Sequence, residues 1–201
     1  MIERSKEERS RKRVGILGGT FDPIHHSHLI AAEQAREQAQ LDEVWFMPAR
    51  IPPHKQGKGI SSEEHRLAMI ELAIAENPAF RVTDIEFTRS GPSYTYDTMS
   101  QLTELYPDIA FSFIMGGDMV EILPKWYRID ELIELVPLIG LMRPGSHVEE
   151  NQYTKHVHFI DMPKWELSSS FIREKCAAGQ SIRYFVPDAV ARYIKEQMLY
   201  E

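Results

Sequence analysis

Three short apolar runs, Val14–Leu17, Ile109–Met115 and Leu138–Met142, are almost unbroken by polar side chains. A strand with one face in water alternates apolar and polar residues, whereas a strand covered on both faces does not. These runs therefore predict parallel strands sandwiched between helices. Further strands are expected at Val44–Met47, Phe80–Glu86 and Val157–Ile160, and helices at His28–Ala39, Glu63–Glu76, Thr95–Leu105 and Ile129–Leu135. Ser61-x-x-Glu64 reads as a capping box for the second helix, whose apolar stripe is Leu67, Ile70, Leu72 and Ile74. Two more helices follow: Ser169–Ala177, closed by Gly179, and Pro187–Leu199, with proline in its first turn.

This alternation specifies the fold class: α/β, a Rossmann-like doubly wound open parallel sheet with helices on both faces. At 201 residues the chain suits one domain, expected over residues 13–201. Residues 1–12 are too charged to join a core and read as a solvated tail. The segments ARIPPHKQGKGISS and RPGSHVEENQYTK are polar and rich in turn residues, and read as long functional loops.

Composition narrows the function. A net charge of −7 argues against general nucleic-acid binding but leaves room for a local basic pocket. The single cysteine, Cys176, excludes an internal disulfide framework and suits a reducing cytoplasm. No apolar stretch approaches the roughly 20 residues of a membrane span, so no membrane partner is expected.

In such sheets ligands bind beyond the carboxyl ends of the strands, where strand order reverses. The first apolar run leads directly into GGTFDPIHHSHL, residues 18–29. Glycines let the backbone approach a ligand closely, and a helix N-terminus offers free N–H groups to phosphate. His25 and His28 share one helical face. No second cluster of ligating residues accompanies them, which sets a protein-held metal aside in favour of phosphate. His26 reads as solvent-facing and Ser27 as an N-cap.

Five other segments place polar residues after strands or at helix starts. PPHK, residues 52–55, is an exposed turn or a stiffened approach for Lys55 to a polyphosphate. LSSSFIR, residues 167–173, caps a helix and presents hydroxyls with Arg173 one turn inside. In FIMGGD, residues 113–118, Asp118 accepts from ribose hydroxyls or caps a helix. In SYTYDT, residues 93–98, Ser93 or Thr95 caps a helix whose amides suit an anion. Trp126 is either core or a platform for a heteroaromatic ring, and Arg143 follows a strand in RPG.

Together, GGTFDPIHHSHL, PPHK, SYTYDT, GGDMVEILPKWY, RPG and SSSFIR resemble the bacterial nicotinate-nucleotide adenylyltransferases, a nucleotidyltransferase family with a His-x-Gly-His signature. The resemblance runs from about residue 13 to 195. It implies transfer of AMP from ATP to nicotinate mononucleotide, giving deamido-NAD and pyrophosphate, with Mg2+ accompanying ATP. It also implies catalytic roles for His25, His28, Lys55 and Arg173. Gly18, Gly19, Thr20, Phe21, Gly116, Asp118, Ser169 and Ile172 are implied as ATP contacts. Thr95, Trp126, Tyr127 and Arg143 are implied as mononucleotide contacts. Ser27 stands where the family has glycine. Related enzymes acting on nicotinamide mononucleotide or phosphopantetheine are the nearest rivals. A non-catalytic nucleotide sensor is the other. The exposed C-terminal helix would permit a homo-oligomer.

Overall fold

The computed structural model describes residues 11–50, 60–88, 94–142, 149–163 and 166–201. Its strands are β1 (Lys12–Gly19), β2 (Glu43–Pro48), β3 (Phe80–Val82), β4 (Ile109–Gly116), β5 (Leu138–Met142) and β6 (Val157–Asp161). Its helices are α1 (His26–Gln38), α2 (Glu63–Ile74), α3 (Thr95–Leu105), α4 (Gly117–Glu121), α5 (Ile129–Leu135), α6 (Ser169–Ala177) and α7 (Asp188–Glu196). The strands form one sheet in the order β3-β2-β1-β4-β5-β6, parallel at every pairing. The order reverses at β1, between β2 and β4. The turns after β1 and β4 therefore flank the crevice where such sheets bind ligands.

Two apolar layers account for the unbroken runs. On one face Leu17, Phe46, Ile114 and Leu141 pack with Ala31, Ala32 and Ala35 of α1, Met69 and Ile70 of α2, and Ile172, Val190 and Ile194 of α6 and α7. On the other, Val14, Ile16, Phe111, Phe113 and Met115 pack with Met99 and Leu102 of α3 and Leu132 of α5. Successive residues of β1 and β4 thus point into different cores, so both faces are mainly apolar, with Ser112 the polar residue in the middle of β4.

Several boundaries differ from expectation, each for a physical reason. β1 starts at Lys12, inside the expected tail, because Lys12 is in register with Ile109 and its ammonium lies 2.6 Å from buried Glu43. The strand expected over Phe80–Glu86 stops at Val82, since β3 is an edge and the chain then turns, Phe87 N–H donating to Asp84 O at 2.7 Å. Ser62, not Ser61, caps α2 by accepting from His65 N–H at 3.3 Å. Ser61 N–H is directed instead at the Asp22 carboxylate, 3.3 Å away. The buried face of α2 is Arg66, Met69, Ile70 and Ile74, while Leu72 is exposed. Pro187 is the N-cap of α7, one position before its first turn. Among the described residues no helix is long and apolar enough to cross a membrane.

Candidate functional site

The residues after β1 fold into a tight turn that delivers α1 to the end of the sheet. Gly19 is required there: a Cβ on it would sit 2.8 Å from the Phe21 ring. Phe21 adopts φ 51°, a left-handed conformation that is unusual for a bulky residue and must be held by its surroundings. Three elements supply that hold. Arg66 of α2 donates to Thr20 O at 2.9 Å and to Ala49 O at 2.8 Å. Arg173 of α6 donates to Asp22 O at 2.7 Å, and Ser169 Oγ donates to Pro23 O at 2.9 Å. Ala49 N–H closes the set on Gly19 O at 2.8 Å.

His25, rather than Ser27, occupies the N-cap of α1. Its ring stacks on His28 with centroids 3.7 Å apart, and Phe21 meets His28 edge-on at 5.0 Å. His25 N–H donates to His28 Nδ1 at 3.2 Å, which places the proton of neutral His28 on Nε2. Burial drives the His25 pKa down to about 4, with neighbouring His26 adding to the effect. Burial also lowers His28 well below the usual histidine range, His25 contributing. Both imidazoles are therefore neutral donors at pH 7 until an anion arrives. Among the described residues, His25 Nδ1 and Ser27 Oγ are buried with no hydrogen-bond partner. Ser27 lies at the second position of α1, so it does not cap; the two signature histidines have taken that role between them.

The lowered pKa has a consequence for stability. Below pH 6.5 the unfolded chain takes up a proton at His25 that the folded chain refuses down to about pH 4. Stability is thus full above pH 6.5 and falls as pH drops towards 4, by about 3 kcal/mol from His25 alone. Thermal melts from pH 7.5 to 4.5 are expected to show this loss, and His25→Gln is expected to flatten the acid limb.

The second glycine pair ends β4 at the other side of the switch point. A Cβ on Gly116 would lie 2.6 Å from Asp118 Oδ1, so Gly116 makes room for that carboxylate. Gly116 is the N-cap of α4, and Asp118 in its first turn is exposed and free to meet a ligand hydroxyl. Phe113 links this region to β1. Its ring lies 3.3 Å from where a Gly18 Cβ would be, and Trp126 packs on it edge-on at 5.9 Å. Trp126 is thus partly a core residue. Tyr127 is 48% exposed and lies over exposed Tyr94 at 4.4 Å. Thr95 is the first residue of α3; Tyr94 occupies the cap without a side-chain bond, so the first amides of α3 lack intrahelical acceptors.

Ile172, expected beside ATP, is fully buried, and its N–H donates to Ser168 O at 3.2 Å. Lys55 and Arg143 lie outside the described residues. Among the described residues no group of three or more His, Cys, Asp or Glu is placed to hold a metal ion.

A family model described as cytidylyltransferase-like matches residues 16–175, four-fifths of the chain. The chain is 48% identical over 190 residues to the nicotinate-nucleotide adenylyltransferase of Bacillus subtilis, covering 94% of this chain and 99% of that protein. It is 52% identical to a probable nicotinate-nucleotide adenylyltransferase of Geobacillus thermodenitrificans, covering 94% and 86%. The chain belongs to the nicotinate-nucleotide adenylyltransferase family. Its fold agrees with that of the Plasmodium falciparum nicotinic acid mononucleotide adenylyltransferase complexed with NaAD. That match has a TM-score of 0.77 at 23% identity, over 94% of this chain and 97% of that one.

Asp22, Arg66 and Tyr200 lie in or against the turn after β1, and sequence reasoning did not single them out. Asp22 is 1% exposed, and its Oδ1 accepts from Tyr200 Oη at 2.6 Å. Arg66 is 0% exposed, and its guanidinium lies 5.3 Å from the Phe87 ring centre. The aspartate in GGTFDP was visible as part of a motif. Nothing local in the sequence marked the other two.

Proposed function

We propose that this protein transfers the adenylyl group of MgATP to nicotinate mononucleotide, forming deamido-NAD and pyrophosphate at the turn after β1. The observation that carries this reading is the stacked, neutral pair His25 and His28, set at a helix start beside the strand-order switch. Magnesium enters with ATP as part of the substrate, since the donors around the turn suit its phosphates. The 5′-phosphate of the mononucleotide is already anionic near neutral pH and attacks the α-phosphorus in line. No general base and no covalent enzyme intermediate are needed, so catalysis rests on positioning and charge stabilisation.

The described residues divide that work. His25 and His28 donate to phosphate oxygens as charge shifts towards pyrophosphate, and gain proton affinity as the anion arrives. The turn Gly18–Phe21 lets the two nucleotides approach each other. Ser169 and Arg173, tied to that turn, place α6 and its positive end beside the phosphates. Asp118 accepts from ribose hydroxyls next to Gly116. The amides of Thr95 and Tyr127 receive the pyridine carboxylate, and the ring lies against Trp126. Lys55 adds charge at the polyphosphate and Arg143 holds the mononucleotide. An anion-seeking helix start favours nicotinate over the neutral amide.

Pyrophosphate release with MgATP and three acceptors tests the assignment. Turnover with nicotinate mononucleotide well above nicotinamide mononucleotide and phosphopantetheine is expected. Preference for another acceptor would reassign the Thr95–Tyr127 region, and ATP binding without any turnover would make the protein a sensor.

Ser27 yields a separate expectation. Its hydroxyl is buried without a partner among the described residues, and alanine is the better helix former. Ser27→Ala is therefore expected to raise stability by about 1 kcal/mol, read by thermal melting. Ser27→Gly removes the Cβ as well and is expected to lower the ATP KM several-fold. An unchanged ATP KM in the glycine variant would show that the serine costs ATP nothing.

A further inference from the structure

The hydroxyl of Tyr200 reaches back 178 positions along the chain to Asp22, in the middle of the reacting-phosphate turn. The two residues are joined by a 2.6 Å hydrogen bond, short enough for a phenol donating to a carboxylate. Strain stands at both ends of this bond. Phe21, beside Asp22, has φ 51°, and Tyr200 itself has φ 67°. Bulky residues enter the left-handed region only where the surroundings over-determine them. Burial and the neighbouring Asp22 push the Tyr200 pKa up, so the phenol stays protonated and remains a donor.

Asp22 is the hub between this bond and the site. Its carboxylate also faces Ser61 N–H at 3.3 Å, at the head of α2, and its backbone carbonyl takes the Arg173 guanidinium at 2.7 Å. Arg66, whose charged form the nearby Asp22 favours, grips the carbonyls of Thr20 and Ala49. The turn that must aim its backbone at the phosphates is thereby fixed from four directions. Only one of them, Tyr200, comes from the segment after α7.

We propose that Tyr200 is a positioning residue for the adenylyl-transfer site, acting through Asp22 to hold the Thr20–Pro23 turn in its left-handed form. It touches no substrate. Its work is to keep the turn fixed, so that donors need not reorganise during transfer. The kinetic part of this claim rests on the adenylyltransferase reading; the structural part does not.

Tyr200→Phe removes one oxygen and leaves the ring in place. With the full-length protein, kcat is expected to fall roughly tenfold, the loss typical of a hydrogen bond to a charged group. The KM values for ATP and nicotinate mononucleotide are expected to stay within about twofold, because binding groups remain. Amide hydrogen exchange of the peptide spanning residues 18–24 is expected to quicken, while β4 and β5 keep their protection. Asp22→Asn is expected to give a similar kcat loss, and the double variant no more than either alone, the mark of a shared pathway. Wild-type kcat in Tyr200→Phe overturns the proposal. So does a kcat loss with exchange raised evenly over the whole sheet, which would show general destabilisation. If Tyr200→Phe does not fold, Asp22→Asn decides by the same exchange test. If the wild type does not turn over nicotinate mononucleotide, the functional reading fails, yet the exchange of residues 18–24 still tests the hold.

Discussion

Replacing His28 with alanine is expected to lower kcat about 10²- to 10³-fold, the usual cost of losing one aligned donor to developing charge. The KM for nicotinate mononucleotide is expected to change little, because the contacts proposed for that nucleotide, Thr95, Trp126 and Tyr127, are other residues. His28 Nδ1 is occupied by His25 N–H at 3.2 Å, so its Nε2–H is the group left to donate. The ring cannot drift, since His25 stacks on one side at 3.7 Å and Phe21 meets it at 5.0 Å. A donor held this way makes little reorganisation during transfer, which is where the rate advantage arises. His28→Asn keeps a donor on a shorter arm and is expected to recover part of the loss. His26→Ala serves as the control, since the His26 backbone is anchored to Phe185 O and its ring takes no part in the stack. Steady-state kinetics with varied ATP and varied mononucleotide separate the three. Equal kcat in His28→Ala and wild type would remove the histidine pair from the mechanism.

The same pair illustrates what a sequence reveals and what it hides. The runs Leu138–Met142, Thr95–Leu105, Ile129–Leu135 and Ser169–Ala177 have the bounds that pattern and punctuation imply. Their signals are local: apolar runs between turn residues, a serine before a helix, a glycine after it. The five-residue helix α4 is shorter than two turns and carries no periodic signal, so it was invisible. The two histidines were legible as a pair, but their mutual capping was not. Ser27 looked like the cap because serine usually is one. Here the N3 side chain, His28 Nδ1, accepts from the N-cap N–H of His25, and residue type alone does not reveal that choice. Tyr200 was the least legible residue of all, because its partner lies 178 positions away.

Arg66→Ala is expected to destabilise the protein by about 3–5 kcal/mol, a large part of the roughly 5–15 kcal/mol that holds a domain together. The pattern of α2 hid this residue, since a cation on a buried face breaks the apolar stripe that defines such a face. Arg66 is nevertheless 0% exposed and forms that face with Met69, Ile70 and Ile74. Its retention has a local reason. The carbonyls of Thr20 and Ala49 end adjacent strands at the ligand edge, and both take their hydrogen bonds from Arg66. Truncation leaves these acceptors unpaired, opens a cavity, and strips a buried positive charge from the surroundings of Asp22. Burial lowers the Arg66 pKa, but Asp22, Glu63 and Tyr200 oppose the effect, and a guanidinium stays charged throughout. Arg66→Met fills most of the space without restoring the donors, so it isolates the hydrogen-bond loss from the cavity. The methionine variant is expected to lie between wild type and alanine in thermal melts, with a fall of roughly 5–10 °C. It is also expected to lose more activity than its stability explains, because Thr20 would no longer be tied to α2. A methionine variant as stable and as active as the wild type would mean that the two carbonyls find other donors and that Arg66 merely fills space.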